Sequence, residues 1–139
     1  MRKLLLAIID GLFPAKTEER PSAKIRITPQ LADDIIKFVK TLPGMADCYV
    51  AALKPSNSME PAIDDGMYMV MQPVPHTDLI EGDIIWYVSP TYKAIHRIIE
   101  IGEDDIGWYA LTKGDNNGRP DGVKVRPEYI NGTWRATLN

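Results

Sequence analysis

A chain with a single cysteine cannot close an internal disulfide, so nothing in this sequence demands an oxidising compartment. That residue, Cys48, lies in the apolar run Cys48-Tyr49-Val50-Ala51-Ala52, where a buried structural thiol is expected rather than a reactive one. Histidine is nearly as scarce, with two copies, and there is no Cys/His cluster that could hold zinc. Asp115-Asn116-Asn117-Gly118 lacks the ligand spacing of a calcium loop, and no glycine-rich phosphate loop occurs. The expectation is therefore no metal and no cofactor. Positive charge is also short: 16 Lys and Arg stand against 19 Asp and Glu, with no dense basic block. A net charge of -3 argues against a partner bound through its phosphates, so no nucleic acid is expected.

Long hydrophobic runs are missing too. The apolar stretch Leu4-Leu5-Leu6-Ala7-Ile8-Ile9 is broken by Asp10 and, even continued through Leu12-Phe13, falls short of the ~20 residues that cross a bilayer. No membrane span is expected. The basic start Met1-Arg2-Lys3 leaves three readings of residues 1–13 open: a short apolar helix docking on the core or a partner, an interfacial anchor, or a secretory signal.

What the chain does contain is enough for one globular domain: 139 residues, 45% apolar and 25% charged. Residues 14–27, rich in Lys, Thr, Glu, Arg, Pro and Ser, read as a linker. Thr28-Pro29 signals a helix start, and Leu31, Ile35, Ile36 and Val39 form one apolar stripe, so an amphipathic helix is expected over 28–44, closed by Pro43-Gly44. One such helix is too little for a helix-turn-helix DNA reader. Residues 45–139 change texture to short runs rich in Val, Ile, Tyr and Trp between Gly, Pro, Asp and Asn. Strands are expected at 48–54, 67–72, 83–88, 93–101, 106–112 and 129–137, which makes the fold mainly β with a few short helices.

The chemistry must come from polar residues between those strands. A serine hydroxyl is a weak nucleophile and needs an adjacent base; a histidine base needs a partner that fixes its tautomer. His76, in Pro73-Val74-Pro75-His76-Thr77-Asp78, reads as a solvated loop residue. His96, in Ala94-Ile95-His96-Arg97-Ile98-Ile99, sits in an expected strand, where a polar ring must find a hydrogen bond. Taken singly, Ser58 reads as a turn residue and His96 as a structural histidine.

Four ordered stretches change that reading. Ser56-Asn57-Ser58-Met59-Glu60-Pro61, Glu81-Gly82-Asp83-Ile84-Ile85, Ile95-His96-Arg97-Ile98 and Lys113-Gly114-Asp115-Asn116-Asn117 together resemble the boxes of the signal peptidase I family, within the clan that includes self-cleaving LexA-like repressors. The bacterial type of that family carries lysine where this chain has His96; the archaeal and endoplasmic-reticulum type carries histidine, and this sequence resembles the latter. The resemblance implies a LexA/signal-peptidase-like β-fold catalytic core over 45–139, preceded by an N-terminal helical segment. It implies Ser58 as nucleophile and His96 as general base. Asp121, in Arg119-Pro120-Asp121-Gly122, matches the aspartate that orients the histidine, with Asp115 as a supporting or alternative partner, or a plain turn residue. Oxyanion donors would be the Ser58 backbone N–H and the Ser56 hydroxyl, and Met59 would pack beneath the site.

The chain departs from the family in two respects, the first being that the large accessory domain of many bacterial members is not expected here. The second is that the apolar anchor that precedes the nucleophile box in signal peptidases is replaced by a polar linker and an amphipathic helix. The expectation is a soluble serine endopeptidase acting on an extended segment of a protein or peptide substrate, cytoplasmic or peripheral at a membrane through residues 4–13, with a homodimer left open. Two alternatives stand beside it. One is a self-processing regulator whose 14–47 arm enters an active site, although that arm lacks the Ala-Gly or Cys-Gly bond such proteins cut. The other is a non-catalytic binding module on the same fold.

Overall fold

The computed structural model describes residues 27–52, 56–64 and 66–138. The helix expected at 1–13 and nearly all of the 14–27 linker lie outside the described residues.

The first described element is helix α1, Pro29–Val39. Thr28 caps it, its Oγ1 accepting the Leu31 N–H at 3.2 Å, and Pro29 occupies a first-turn position where no intrahelical N–H is required. The helix stops at Val39 rather than running to 44, because the next amides reach back only three residues: Thr41 N–H bonds Phe38 O and Leu42 N–H bonds Val39 O. Ala32 is its buried residue, while Leu31 and Phe38 stay exposed.

The rest is one six-stranded antiparallel sheet: β1 Tyr49–Ala52, β2 Tyr68–Gln72, β3 Ile84–Val88, β4 Lys93–Asp104, β5 Gly107–Lys113 and β6 Ile130–Leu138. Its order is β1-β2-β6-β3-β4-β5, so the last strand inserts between β2 and β3 and joins the two halves. The architecture is mainly β, with short 3-10 turns at His76–Asp78 and Pro127–Tyr129.

Strand alternation divides the core between two faces. In β3, Ile85 and Tyr87 join a cluster with Leu79, Ile98, Ala110 and Val125, whereas Ile84 joins Met59, Ile63, Met69 and Met71, with Trp86 packed beside them. An Ile-Ile-Trp-Tyr-Val run is what a strand covered on both faces requires. Burying each such side chain contributes about 1.5–3 kcal/mol relative to exposure, which fixes β3 and its register. In that register Ile85 lies opposite His96 and Ile84 opposite Arg97. Residues directly opposite share a face, so His96 belongs with the Tyr87 cluster and Arg97 with the other side.

Candidate active site

Ser58 sits on a loop that its own sequence and a distant segment both hold. Asn57 adopts a positive φ of 52°, a conformation that asparagine tolerates better than most residues, and Glu60 N–H closes a turn on Asn57 O at 3.3 Å. Met59 and Ile63 are 1% exposed and anchor the loop in the core below. From the run after β5, Asn116 donates its backbone N–H to Ser58 O at 2.9 Å and its Nδ2 to Asn57 O at 3.0 Å. Gly114 passes so close that a Cβ there would lie 2.6 Å from Ser58 O, which only glycine avoids.

His96 points from β4 to the face that carries the Tyr87 cluster and is 3% exposed. Its Nε2 lies 3.0 Å from Ser58 Oγ, and its Nδ1 lies 2.6 Å from Asp121 Oδ2. Burial pushes the Asp121 carboxyl up, but hydrogen bonds from His96, Thr112 and Tyr87 outweigh it and hold the group below the usual carboxylate range. An ionised carboxylate only accepts, so the proton sits on Nδ1 and leaves Nε2 as the acceptor of the Ser58 hydroxyl. That is the tautomer a general base needs.

The Asp121 carboxylate is itself tied down. Tyr87 OH donates to Oδ2 at 2.8 Å, Thr112 Oγ1 donates to it at 2.7 Å, and the Asp121 backbone N–H donates to Thr112 O at 2.7 Å. Burial first, and the nearby Asp121 charge in addition, keep the Tyr87 phenol far above its ordinary pKa, so it remains a donor at any physiological pH.

Asp115 goes elsewhere. Arg97 grips it with two hydrogen bonds, Nε to Oδ1 at 2.8 Å and Nη2 to Oδ2 at 2.7 Å, and Arg97 Nη1 reaches Gly82 O at 2.8 Å. Hydrogen bonding to Arg97 is the main reason that the Asp115 carboxyl lies below its usual range. Ser56 Oγ lies 3.1 Å from Ser58 Oγ, on the exposed side of the loop. Beside them an open groove of about 500 Å³ is lined by Tyr92 and residues 116–122, and the Tyr92 ring stands 6.3 Å from the His96 ring. His76 lies apart, its ring packed against Trp108 at 5.1 Å.

The structure thus brings Ser56, Ser58, His96 and Asp121 into one hydrogen-bonded chain and sets Asp115 on Arg97 beside it. Tyr87 and Thr112 escaped the sequence reading, because each lies in a strand run where an apolar neighbour list signals only core. Asn116 and Gly114 carried a signal, since both fall in the Lys113-Gly114-Asp115-Asn116-Asn117 stretch.

Among the described residues no helix is long and apolar enough to cross a membrane. No family model matches the chain. A stretch of 77 residues is 31% identical to signal peptidase I W of Bacillus subtilis (strain 168), covering 54% of this chain and 40% of that protein. The chain therefore spans well under half the length of that curated relative, and the match supports a signal peptidase I-like relationship.

Proposed function

We propose that the chain is a serine endopeptidase that cuts an extended segment of a polypeptide. The observation that carries this reading is the continuous path from Ser58 Oγ to His96 Nε2 at 3.0 Å and from His96 Nδ1 to Asp121 Oδ2 at 2.6 Å. The similarity to a signal peptidase supports the same reaction class.

In this mechanism Ser58 Oγ attacks the scissile carbonyl while His96 Nε2 takes its proton. The imidazolium that forms is stabilised by the buried Asp121 carboxylate, where the low local dielectric strengthens the attraction. The tetrahedral oxyanion is met by the Ser58 backbone N–H, with the Ser56 hydroxyl turning toward it as the second donor; each such donor is worth about 2.7–4 kcal/mol of barrier. His96 then protonates the leaving amine, and water, activated by the same base, releases the acyl group from Ser58. Asp115 ties the 113–117 turn to Arg97, and that turn holds the Ser58 loop through Asn116.

Cleavage of a random peptide library read by mass spectrometry, together with covalent labelling by a fluorophosphonate, tests the reading. Wild type should cleave and be labelled at Ser58, while Ser58→Ala should lose labelling and at least about 10⁴-fold of the cleavage rate. Undiminished cleavage by Ser58→Ala overturns the mechanism. A folded wild-type protein that neither cleaves nor labels overturns the enzyme assignment in favour of a binding module.

A further inference from the structure

We propose that Tyr87 and Thr112 are positioning residues, whose hydroxyls hold the Asp121 carboxylate charged and oriented on His96; the proposal rests on the peptidase reading above. Tyr87 and Thr112 are both 0% exposed, in places where Phe and Val would fill the same volume without a polar atom to satisfy. A hydroxyl kept in a core is there for its hydrogen bond, and both of these find the same acceptor, Asp121 Oδ2.

The sheet register makes the convergence possible. Tyr87 on β3 lies opposite Ala94, two residues before His96, and Thr112 on β5 lies opposite Ile98, two residues after it. The two hydroxyls therefore flank His96 on the same face, one from each neighbouring strand, and Asp121 closes over all three. Thr112 has one proton and two neighbours, Tyr87 OH at 3.2 Å and Asp121 Oδ2 at 2.7 Å. The carboxylate is the stronger acceptor and the shorter contact, so it takes the proton.

Three donors on one carboxylate oxygen have two consequences for the reaction. Burial by itself would drive Asp121 toward the neutral acid, which could donate to Nδ1 and put the wrong tautomer in place; the hydroxyls oppose that. They also prevent the carboxylate from rotating away as charge builds on the imidazole, so that the stabilisation is in place before the transition state is reached. With either hydroxyl removed, Asp121 keeps its charge partner but loses part of its orientation.

Three variants and three readouts test this. On the fluorophosphonate probe, Tyr87→Phe and Thr112→Val should each slow labelling of Ser58 about tenfold, as expected for a lost hydrogen bond to a charged group. Thr112→Ser, which restores the hydroxyl, should recover most of the rate lost in Thr112→Val. In proton NMR, the far-downfield signal of the His96 Nδ1 proton should shift or broaden in Tyr87→Phe and Thr112→Val and return in Thr112→Ser. On a peptide that wild type cleaves, the loss should fall on kcat with KM held. Wild-type labelling and an unmoved imidazole signal in both hydroxyl-deleted variants, with Ser58→Ala still inert, overturn the positioning role and leave the peptidase reading standing. Labelling of Ser58→Ala removes the reading itself. If Tyr87→Phe does not fold, the Thr112 pair decides: equal rates for Val and Ser overturn the proposal, and recovery by Ser supports it.

Discussion

His96 and Arg97 are adjacent on β4, and each is answered by a carboxylate from the same short run after β5, yet the two pairs occupy different surroundings. The His96–Asp121 pair is sealed, each side chain 3% exposed, with two hydroxyls converging on the acid. The Arg97–Asp115 pair is partly open, at 35% and 22%, and is held by a two-pronged guanidinium grip. The separation costs the chain nothing in sequence length, because neighbouring strand residues point to opposite faces. A pair sealed from solvent is coupled more strongly than one that solvent can reach.

Asparagine substitutions are the sharpest way to break this division. Asp121→Asn removes the charge and admits the wrong imidazole tautomer, so cleavage should fall about 10⁴-fold. Asp115→Asn should lose less than tenfold in rate and about 1 kcal/mol of stability by urea unfolding, as for a partly exposed ion pair. Equal kinetic losses in the two variants would mean that the faces do not divide the labour as described.

The residue that joins β5 to the run carrying both carboxylates offers a second cut. Gly114→Ala places a Cβ 2.6 Å from Ser58 O and 2.7 Å from Asn117 Nδ2, so Ser58 or the 113–117 turn must shift. An ångström-scale displacement of a nucleophile can cost about 10²-fold in rate. Overpacking of this kind destabilises by about 1–3 kcal/mol. Fluorophosphonate labelling should therefore slow far more than the urea midpoint falls. A midpoint that collapses while the surviving folded fraction labels normally would show that Gly114 serves the fold and not the position of Ser58.

Acid compares the two carboxylates directly. Both have folded-state pKa values below the ordinary aspartate value of about 3.9, Asp121 because its donors overcome burial and Asp115 chiefly through Arg97. A depressed folded pKa contributes stability that is fully present above the unfolded value and is lost as pH falls through the folded one. Stability from these groups should thus hold from neutral pH to about 4 and decline below it. Asp115→Asn should make that decline shallower, and a slope identical to wild type would show that Arg97 is not what holds Asp115 ionised.

Much of this arrangement is legible in the sequence, and what is not has physical reasons. The six strands follow from runs such as Ile84–Val88 and Gly107–Lys113, where β-branched and aromatic residues sit between Gly, Asp and Pro breakers, and the observed ends fall close to those expected. β4 extends to Asp104, beyond the expected 101, because β5 pairs with it to the end of the hairpin, Asp104 opposite Gly107. Ser58 and His96 stand out only through the order of the stretches around them. Choosing between Asp115 and Asp121 needs the path of the chain after β5, which no local pattern encodes. Tyr87 and Thr112 are silent in sequence, because a hydroxyl that serves a buried acid and one that merely tips a strand side chain leave the same letters.

Salt gives the smallest effect and the finest discrimination between the two pairs. The Debye length falls from about 10 Å at 0.1 M to about 3 Å at 1 M, and screening acts on charges that solvent can reach. Arg97 and Asp115 can be reached, so the roughly 1 kcal/mol that separates wild type from Asp115→Asn in urea should shrink to a few tenths in 1 M sodium chloride. The sealed His96–Asp121 pair should feel little of this, and the ratio of wild-type to Asp121→Asn cleavage rates should stay the same across that range. Should the Asp121→Asn ratio fall with salt while the Asp115→Asn difference holds, the buried and open roles would have to be exchanged, and with them the assignment of the acid that orients His96.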